Sequence, residues 1–349
     1  MPRRPPAVAR VLERVTKTAR EHEMFAPGDL VLVSCSGGPD SVCLLYSLWH
    51  LRRLFKIRLA VFHFDHKLRP DSAKDAAYVR KLAERLKLSF HLREAEDQPL
   101  KGESVEAWGW AVRRGARKAV ATEIGATKIA RGHTEDDQAE TVVMALIGAG
   151  GIFGLGGIHP VEGFEVEPLL DVSRVDVEAF CRASRLRPRR DPTNADTTKR
   201  RAAIRHVLMP RIVEVAGPAS TRAIARTASQ LRHVTAALRD EAAFRAERRL
   251  SYEQDGFRFQ PGPPSESDPV LRALVIEGFR RMGHRVTESD VASVLDLAGG
   301  RPGRRRDLAE GLKAVREKEY VRVSRPASTS LGPGFPRELM GSSTPKGER

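Results

Sequence analysis

The sequence has few cysteines and no long apolar run. The first property argues against a cysteine-based metal site, and the second argues against a membrane-spanning protein. Its three cysteines, Cys35, Cys43 and Cys181, form no CxxC pair and no group with metal-ligand spacing. We therefore expect reduced, buried thiols in a cytoplasmic protein. No apolar stretch approaches the roughly 20 residues that a membrane span requires. The basic start, residues 1–6, lacks the apolar core of a signal peptide.

A glycine-rich turn lacks the residue pair that marks the most common phosphate-binding loop. Residues 34–41 lie between the apolar runs 30–33 and 42–46, which predicts a strand, a turn and a helix. Backbone N–H groups at such a helix N-terminus favour a bound phosphate, and Gly37 and Gly38 let it approach the main chain. The ordinary P-loop ends in Lys-Ser/Thr, whereas this turn ends in Asp40-Ser41. Taken alone, these two residues are also compatible with a helix cap.

Negative charge is scarce, and the imbalance is concentrated in one segment. The 349-residue chain carries a formal net charge of +15, and residues 181–249 hold 17 Lys/Arg against 6 Asp/Glu. This block favours a nucleic-acid partner, the alternative being a solvated helical surface. The chain has three Trp and four Tyr, so arginine planes are further candidates for stacking on bases.

Strand-like and helix-like segments alternate over the first half of the chain. Predicted strands at 57–62, 88–92 and 128–130 alternate with predicted helices at 41–54, 104–124 and 136–149. The pattern predicts an α/β domain with a parallel, doubly wound, Rossmann-like sheet and helices on both faces. Ligands of such sheets bind beyond the carboxyl ends of the strands. The residues just past predicted strand ends are Ser36, His63, His66, His133 and Asp137.

The same pattern divides the chain into four segments. We expect a basic, helical lead-in at 1–27, a nucleotide-binding domain at 28–187, a smaller, basic, mainly helical domain at 188–324 and a disordered tail at 325–349. Within the smaller domain, residues 255–264 break the helical pattern, and residues 311–323 favour a terminal hairpin.

Four stretches resemble the motifs of one enzyme family. Residues 36–41 match the SGGxDS loop of the PP-loop ATP pyrophosphatase superfamily. Three further stretches resemble the motifs of one family within this superfamily. They are HFDHKLR at 63–69, GHTEDDQAET at 132–141, and DPTNAD at 191–196, which is followed by Arg201 and by IRH at 204–206. Together, over roughly residues 28–210, they resemble tRNA(Ile)-lysidine synthase.

The resemblance implies a two-step ligase reaction. ATP adenylates the C2 oxygen of the wobble cytidine in an isoleucine tRNA with a CAU anticodon, and the ε-amino group of free lysine then displaces AMP. Residues 28–187 would be the adenylation domain and residues 188–324 the tRNA-binding domain. Asp40 and Asp137 would be catalytic. The implied ATP-binding residues are Ser36, Gly37, Gly38, Pro39, Asp40, Ser41 and His133. The implied Mg²⁺ ligands are Asp40 and Asp137, the lysine-binding residues Asp137 and Glu140, and the tRNA-binding residues Arg113, Arg201 and Arg205.

The residues themselves are compatible with these roles but leave alternatives open. Asp136, Asp137 and Glu140 crowd one end of a helix, where a cation such as Mg²⁺ or a lysine ammonium would relieve their repulsion. The alternative for Asp137 is a capping box with Thr134. For His133 a structural role is equally compatible. For Arg201 and Arg205, four residues apart, the alternative to phosphate contact is solvent exposure.

Four positions depart from the family pattern. Trp110 stands where an Arg is usual, Arg114 where a Tyr is usual, Glu167 where an Arg is usual and Ala202 where an Asn is usual. Two other functions therefore remain as alternatives. One is a PP-loop tRNA thiolase, which generally needs paired cysteines, and the other is a catalytically silent RNA-binding relative.

Overall fold

The computed structural model describes residues 4–67, 71–97, 99, 105–148, 151–189, 196–261, 268–284 and 286–325. The chain divides into two compact units, Met1–Thr235 and Ala236–Arg349. Residues 191–195 of the DPTNAD stretch and the tail after residue 325 lie outside the described residues. The functional division expected at residue 188 stays a prediction.

The first unit contains the sheet that the alternating pattern predicts. Its six strands lie in the order β3-β2-β1-β4-β6-β5, and the neighbouring strands are parallel except for β6 and β5. The strands are β1 Leu30–Ser34, β2 Arg58–Asp65, β3 Ser89–Glu94, β4 Lys128–Ala130, β5 Val161–Glu162 and β6 Glu165–Val166. The predicted α/β class is confirmed, and β5 adds a short antiparallel edge.

Helices cover both faces of this sheet because both faces of its central strand are apolar. Val31 and Val33 pack in one core with α1, α2, α3 and α7, whereas Leu32, on the other face, packs in a second core with Phe62 and Trp108. The helices are α1 Pro6–Glu21, α2 Pro39–Phe55, α3 Ser72–Leu86, α4 Val105–Glu123, α5 Glu135–Ile147, α6 Gly151–Leu155 and α7 Arg174–Ala183. The lead-in helix α1 is tied to α7 by a hydrogen bond of 2.6 Å from Arg14 to Asp176.

The basic block forms a further set of helices after α7. They are α8 Arg200–Ala203, a π-helical turn Ile204–Leu208, α9 Met209–Ala216 and α10 Ser220–Arg249. Ile204 and Met209 pack against Ala139 and Val143 of α5, which brings the π turn to the start of that helix. No helix in the described ranges, including the charged α10, is long and apolar enough to cross a membrane.

The second unit combines helices with a five-stranded antiparallel sheet in the order β7-β8-β11-β10-β9. Its elements after α10 are β7 Leu250–Glu253, β8 Gly256–Phe259, α11 Asp268–Arg281, α12 Glu288–Ala298, β9 Arg305–Asp307, a 3₁₀ turn Ala309–Gly311, β10 Lys313–Arg316 and β11 Val321–Ser324. The hairpin predicted within 311–323 is confirmed as β10 and β11. The other three strands were not predicted, and β7 and β8 form a second hairpin with its turn at residues 254–255, partly in the segment expected only to break a helix.

Candidate active site

The glycine-rich turn joins β1 to α2, and the hydroxyl of Ser41 fixes its shape. This hydroxyl accepts hydrogen bonds from the backbone N–H groups of Ser36 at 3.1 Å and Gly37 at 3.2 Å, and it donates to the Gly38 carbonyl at 3.0 Å. Gly37 has φ +91°, a conformation that other residues rarely adopt. Ser41 is buried and Ser36 is exposed. The Ser41 oxygen therefore stands in for an anionic oxygen, because it occupies the N–H groups that a phosphate would use.

The loop lies against the GHTEDDQAET stretch because Gly132 has no side chain. A Cβ at Gly132 would lie 3.3 Å from the carbonyl oxygen of Asp40 and 3.5 Å from Cα of Ser41. Gly132 follows β4 and the loop follows β1, and these two strands are parallel neighbours. Two motifs about 100 residues apart in sequence thus meet at one edge of the sheet, as the parallel topology predicts.

Asp40 lies in the first turn of α2, and few groups around it stabilise the negative charge of its carboxylate. Burial and the nearby carboxylates of Asp137 and Asp136 together raise the pKa of Asp40 to about 6, although Arg174 and Arg205 act in the opposite direction. Its Oδ1 atom is buried without a hydrogen-bond partner. An unpaired carboxylate oxygen beside other acids fits a hard cation such as Mg²⁺. Within the described residues, however, no group of three or more His, Cys, Asp or Glu side chains is arranged as a complete metal site.

Two buried acids, Asp137 and Glu140, lie at the start of α5. Asp137 forms the capping box that was one of its two predicted roles, since its Oδ2 accepts hydrogen bonds from the backbone N–H of Thr134 at 2.9 Å and from the Thr134 hydroxyl at 2.8 Å. The capping role leaves Oδ1 free for a second role. Oδ1 accepts hydrogen bonds from Arg205 at 2.7 Å and from Arg201 at 3.3 Å.

Glu140 is 1 % exposed and is surrounded by guanidinium groups. Arg205 donates to it from Nε at 2.7 Å and from Nη2 at 2.8 Å, Arg174 donates at 3.2 Å, and Arg201 donates at 3.4 Å. We call the two acids and the three arginines the acid–arginine cluster, which comprises Asp137, Glu140, Arg174, Arg201 and Arg205.

The cluster fixes the charge of Asp137. Burial alone would raise the pKa of Asp137, but His133 and the three arginines lower it to about 2. Burial opposes the charge of Arg205 too, yet its hydrogen bond to Glu140 and the nearby acids raise its pKa above the usual value. Asp137 is therefore a stable anion at neutral pH and a poor proton acceptor.

Arg201 and Arg205 are partly buried, and both bind acids of α5. Their predicted tRNA contact stays a prediction, and so does the lysine contact predicted for Asp137 and Glu140. Arg174, the first residue of α7, was not singled out from the sequence. It begins α7, eight residues after the end of β6, and no sequence motif marked it.

His133 lies at the end of a chain of polar contacts that includes buried ion pairs. Its Nδ1 lies 2.9 Å from Oε1 of Glu167, which also accepts a hydrogen bond from Nε of Arg131 at 2.5 Å. Arg131 pairs in turn with Glu165 at 2.9 Å, and Arg117 donates to Glu165 at 2.7 Å. Glu167 is 0 % exposed. The departure from the family pattern at position 167 therefore has a structural role here, since Glu167 orients His133 and neutralises Arg131.

Arg113 has no ion pair with an acid in the part of the chain that the structure describes. It lies near Arg117, Arg131 and Arg201, and burial together with these guanidinium groups lowers its pKa from the usual value. Among the described residues no acidic side chain forms an ion pair with it. An unbalanced, poorly solvated guanidinium is suited to binding an anion such as a phosphate.

The two histidines after β2 have different surroundings. Nδ1 of His63 lies 2.8 Å from the Cys35 carbonyl oxygen, and the ring is buried. His66 packs edge-on against Phe64, and burial together with Arg113 lowers the pKa of His66 to about 4. Both are therefore neutral at pH 7, and their placement favours structural roles.

The expected buried and reduced state of the cysteines is confirmed, since all three are free thiols with little or no exposure. Burial raises the pKa of Cys35 to about 11 and that of Cys181 to about 12, and it raises the pKa of Cys43 as well. A thiol with such a pKa is not a nucleophile at neutral pH.

The fold and the loop define the class of protein. Residues 8–212 match the family model described as the PP-loop domain. The U34-tRNA thiolase NcsA from Methanococcus maripaludis, solved with its [4Fe-4S] cluster, has a similar fold, with a TM-score of 0.55, 20% identity, and coverage of 65% of this chain and 79% of that one. At this identity the likeness concerns the fold alone. The chain is a PP-loop protein.

Similar proteins of known name indicate which family of PP-loop proteins the chain belongs to. The tRNA(Ile)-lysidine synthase of Symbiobacterium thermophilum is 35% identical over 93% of this chain and 71% of its own length. That of Solibacter usitatus is 35% identical over 87% of this chain and 69% of its own length. A third, from Clostridium acetobutylicum, is 34% identical over 58% of this chain and 45% of its own length. The chain belongs to the tRNA(Ile)-lysidine synthase family, whose members are tRNA-modifying, ATP-using ligases.

Proposed function

We propose that this protein adenylates the wobble cytidine of an isoleucine tRNA with a CAU anticodon and joins free lysine to it, giving lysidine. One observation carries the proposal. The loop suited to phosphate and the acid–arginine cluster suited to an ammonium group meet at one edge of the sheet, where Asp40 lies within electrostatic reach of Asp137, Arg174 and Arg205. Family membership supplies the class of reaction.

The loop would bind the phosphates of ATP. A phosphate oxygen would replace the Ser41 hydroxyl at the N–H groups of Ser36 and Gly37, and the N-terminus of α2 favours this negative charge. Pro39 occupies the first turn of α2, where its missing N–H costs nothing. Asp40 would hold Mg²⁺ through its unpaired Oδ1. Bound there, Mg²⁺ would neutralise the pyrophosphate that leaves when the cytidine oxygen attacks the α-phosphorus.

Asp40 fits the metal better than Asp137 does. Both oxygens of Asp137 already accept hydrogen bonds, from Thr134 on one side and from arginines on the other. A metal at Asp137 would have to displace these donors, whereas Oδ1 of Asp40 has none.

Lysine would bind at the acid–arginine cluster. Asp137 and Glu140 are the buried anions of the site, and their three guanidinium groups show that they hold nitrogen cations. A lysine ε-ammonium would take the place of one guanidinium group. With a pKa of about 2, Asp137 would bind and orient the ammonium rather than remove its proton.

The RNA would be bound by arginines around this pocket. Arg113 carries an unbalanced charge, and an Arg201 or Arg205 side chain released by lysine could move to a phosphate. The basic segment 181–249 extends the positive surface. Binding through phosphates weakens steeply as salt is raised.

The test is ATP-dependent transfer of labelled lysine to a tRNA with a CAU anticodon. Asp40→Asn keeps the shape of the side chain and removes the charge that the metal needs, so we expect lysine transfer to be lost. Glu13→Gln, at an exposed position of α1, is the control for loss of an acidic charge and should retain full activity. No transfer by the native protein would refute the proposed reaction. Full transfer by Asp40→Asn would refute the role of the loop.

A further inference from the structure

Two of the departures from the family pattern contact each other on α4. Cζ of Arg114 lies 5.0 Å from the centre of the Trp110 ring, which is a cation–π contact. The family pattern has the cation at position 110 and the aromatic ring at position 114. This chain exchanges the two residue types and has an aromatic–cation pair at the same place on the helix.

The Trp110 ring is not needed to fill the core. Trp110 is 50 % exposed, whereas Trp108, two residues earlier on the same helix, is 7 % exposed and packs in the core. A half-exposed tryptophan keeps a large apolar area in water, and tryptophan at a surface is typical of binding sites.

The exposed ring belongs to a longer surface on the same helix. Residues 110, 114 and 118 are one turn apart, so their side chains follow each other along one face. Lys118 lies over a second exposed ring, with its Nζ 5.5 Å from the centre of the Phe164 ring, which is 41 % exposed. We call this surface the α4 stripe, which comprises Trp110, Arg114, Lys118 and Phe164.

The α4 stripe lies beside the candidate active site. Trp110 is one helical turn, about 5 Å along the axis, from Arg113. Arg113 is close to Arg201 of the acid–arginine cluster. The buried Glu165 is within electrostatic reach of Arg114, but it is already bound by Arg117 and Arg131.

We propose that the α4 stripe binds unpaired bases of the RNA substrate that flank the target cytidine, with the Trp110 ring stacked on one base. The inference rests on the proposed function, because it presumes an RNA substrate with a single-stranded loop. Rings that each carry an adjacent cation suit this partner, since bases stack on aromatic planes while the cations offset the charge of the phosphates. Arg114 fixes the plane of the indole ring and adds its charge beside it.

The experiment measures the affinity of the full-length protein for a fluorescently labelled CAU anticodon stem-loop RNA, at one salt concentration and without lysine. Stacking contributes about 1–3 kcal/mol per base, so Trp110→Leu should weaken binding by about 5- to 150-fold. Trp110→Phe keeps a ring and should stay within about threefold of the native protein. Arg114→Ala should weaken binding as well, because it removes both the charge and the support of the ring.

Arg52→Ala is the matched control for Arg114→Ala. Arg52 forms the other tryptophan–arginine pair on a helix, at 4.2 Å from the Trp49 ring, and lies near the end of α2 away from the loop. It should leave RNA affinity unchanged. A second control replaces the bases next to the cytidine by abasic sites. Native binding should then weaken, and Trp110→Leu should add no further loss, because ring and base act as one pair.

The outcomes separate this inference from the proposed function. Native affinity in Trp110→Leu, or equal losses with and without the neighbouring bases, would overturn the stacking role while the RNA substrate stands. Failure of the native protein to bind the stem-loop would overturn both. Normal thermal unfolding of the variants would exclude misfolding as the cause of a loss.

Discussion

Glu140→Gln removes the charge that holds three guanidinium groups at the start of α5. Glutamine has nearly the same shape, but its amide group presents one acceptor oxygen and no charge. The hydrogen bonds affected are the pair from Arg205 at 2.7 Å and 2.8 Å and the longer contacts from Arg174 and Arg201. Among the described residues, Asp137 would remain as the only anion within bonding distance of Arg205.

The expected loss of stability follows from these contacts. Removing one partner of a buried ion pair costs about 3–5 kcal/mol, and a hydrogen bond to a charged group contributes about 1.5–3 kcal/mol. The Arg205 side chain is 26% exposed and keeps its 2.7 Å bond to Asp137. The expected loss therefore lies below that of a fully broken buried pair, at about 2–3 kcal/mol. For a unit of this size, such a loss lowers the midpoint of thermal unfolding by about 5–10 °C.

The assay is thermal unfolding followed by circular dichroism, with Glu178→Gln as the control. Glu178 forms an exposed pair with Arg182 at 3.5 Å, and its substitution should cost less than about 1 kcal/mol. Steady-state kinetics should also show a raised KM for lysine in Glu140→Gln. If this variant unfolds at the same temperature as the native protein, Glu140 does not hold the arginines, and the cluster is misinterpreted.

Three further predictions follow from the charges of the site. The pKa of Asp40 is about 6 in the folded protein against an ordinary 3.8, so the folded state binds the carboxyl proton more tightly than the unfolded state does. The free energy of unfolding therefore falls as the pH rises from about 4 to about 6. At pH 7.5, Asp40→Asn should therefore be more stable than the native protein by up to about 3 kcal/mol and should unfold at a higher temperature. Below pH 4 the two proteins should unfold at similar temperatures. Equal unfolding midpoints at pH 7.5 would contradict the unpaired state of Asp40. Cys35 and Cys181, with thiol pKa values of about 11 and about 12, should not react with iodoacetamide at pH 7.5 until the protein is unfolded, as measured by mass spectrometry. Arg113→Ala should weaken RNA binding and reduce the slope of log affinity against log salt by about one, and an unchanged slope would rule out a phosphate contact at Arg113.

The sheet of the first unit was predictable because each strand carries its own signal. The run Leu30 to Val33 is apolar on both faces, as a central parallel strand must be, and the helical segments between the strands have apolar faces. The order of the strands then places the loop beside Gly132, a contact that no local pattern shows. Sequence alone thus predicted which edge holds the site, but not that Gly132 lets the two motifs touch.

The sheet of the second unit was harder to predict because its strands are short and charged. Arg305, Arg306 and Asp307 form β9 and are all exposed, so they have no alternation of apolar and polar residues. Phe257 and Phe259 do alternate and are buried, but the glycines and prolines around them favoured a break. Only pairing with β11 makes this segment a strand.

The sequence predicted which residues belong to the candidate site, but it did not predict the contacts between them. The motifs indicated Asp137, Glu140, Arg201 and Arg205, yet ion pairs between residues more than 60 positions apart depend on how the π turn packs against α5. Glu167 was noted only as a departure from the family pattern. Its role became visible once Arg131 and His133 lay within hydrogen-bond distance.

The central claim is that one edge of this sheet joins lysine to the wobble cytidine at the expense of ATP. The most direct measurement is the mass of the nucleosides released from a CAU-anticodon tRNA after incubation with the native protein, ATP, Mg²⁺ and lysine. The account predicts that the anticodon cytidine gains the mass of one lysyl group, with release of pyrophosphate and AMP. An unmodified cytidine, or one carrying sulfur instead of lysine, would contradict it.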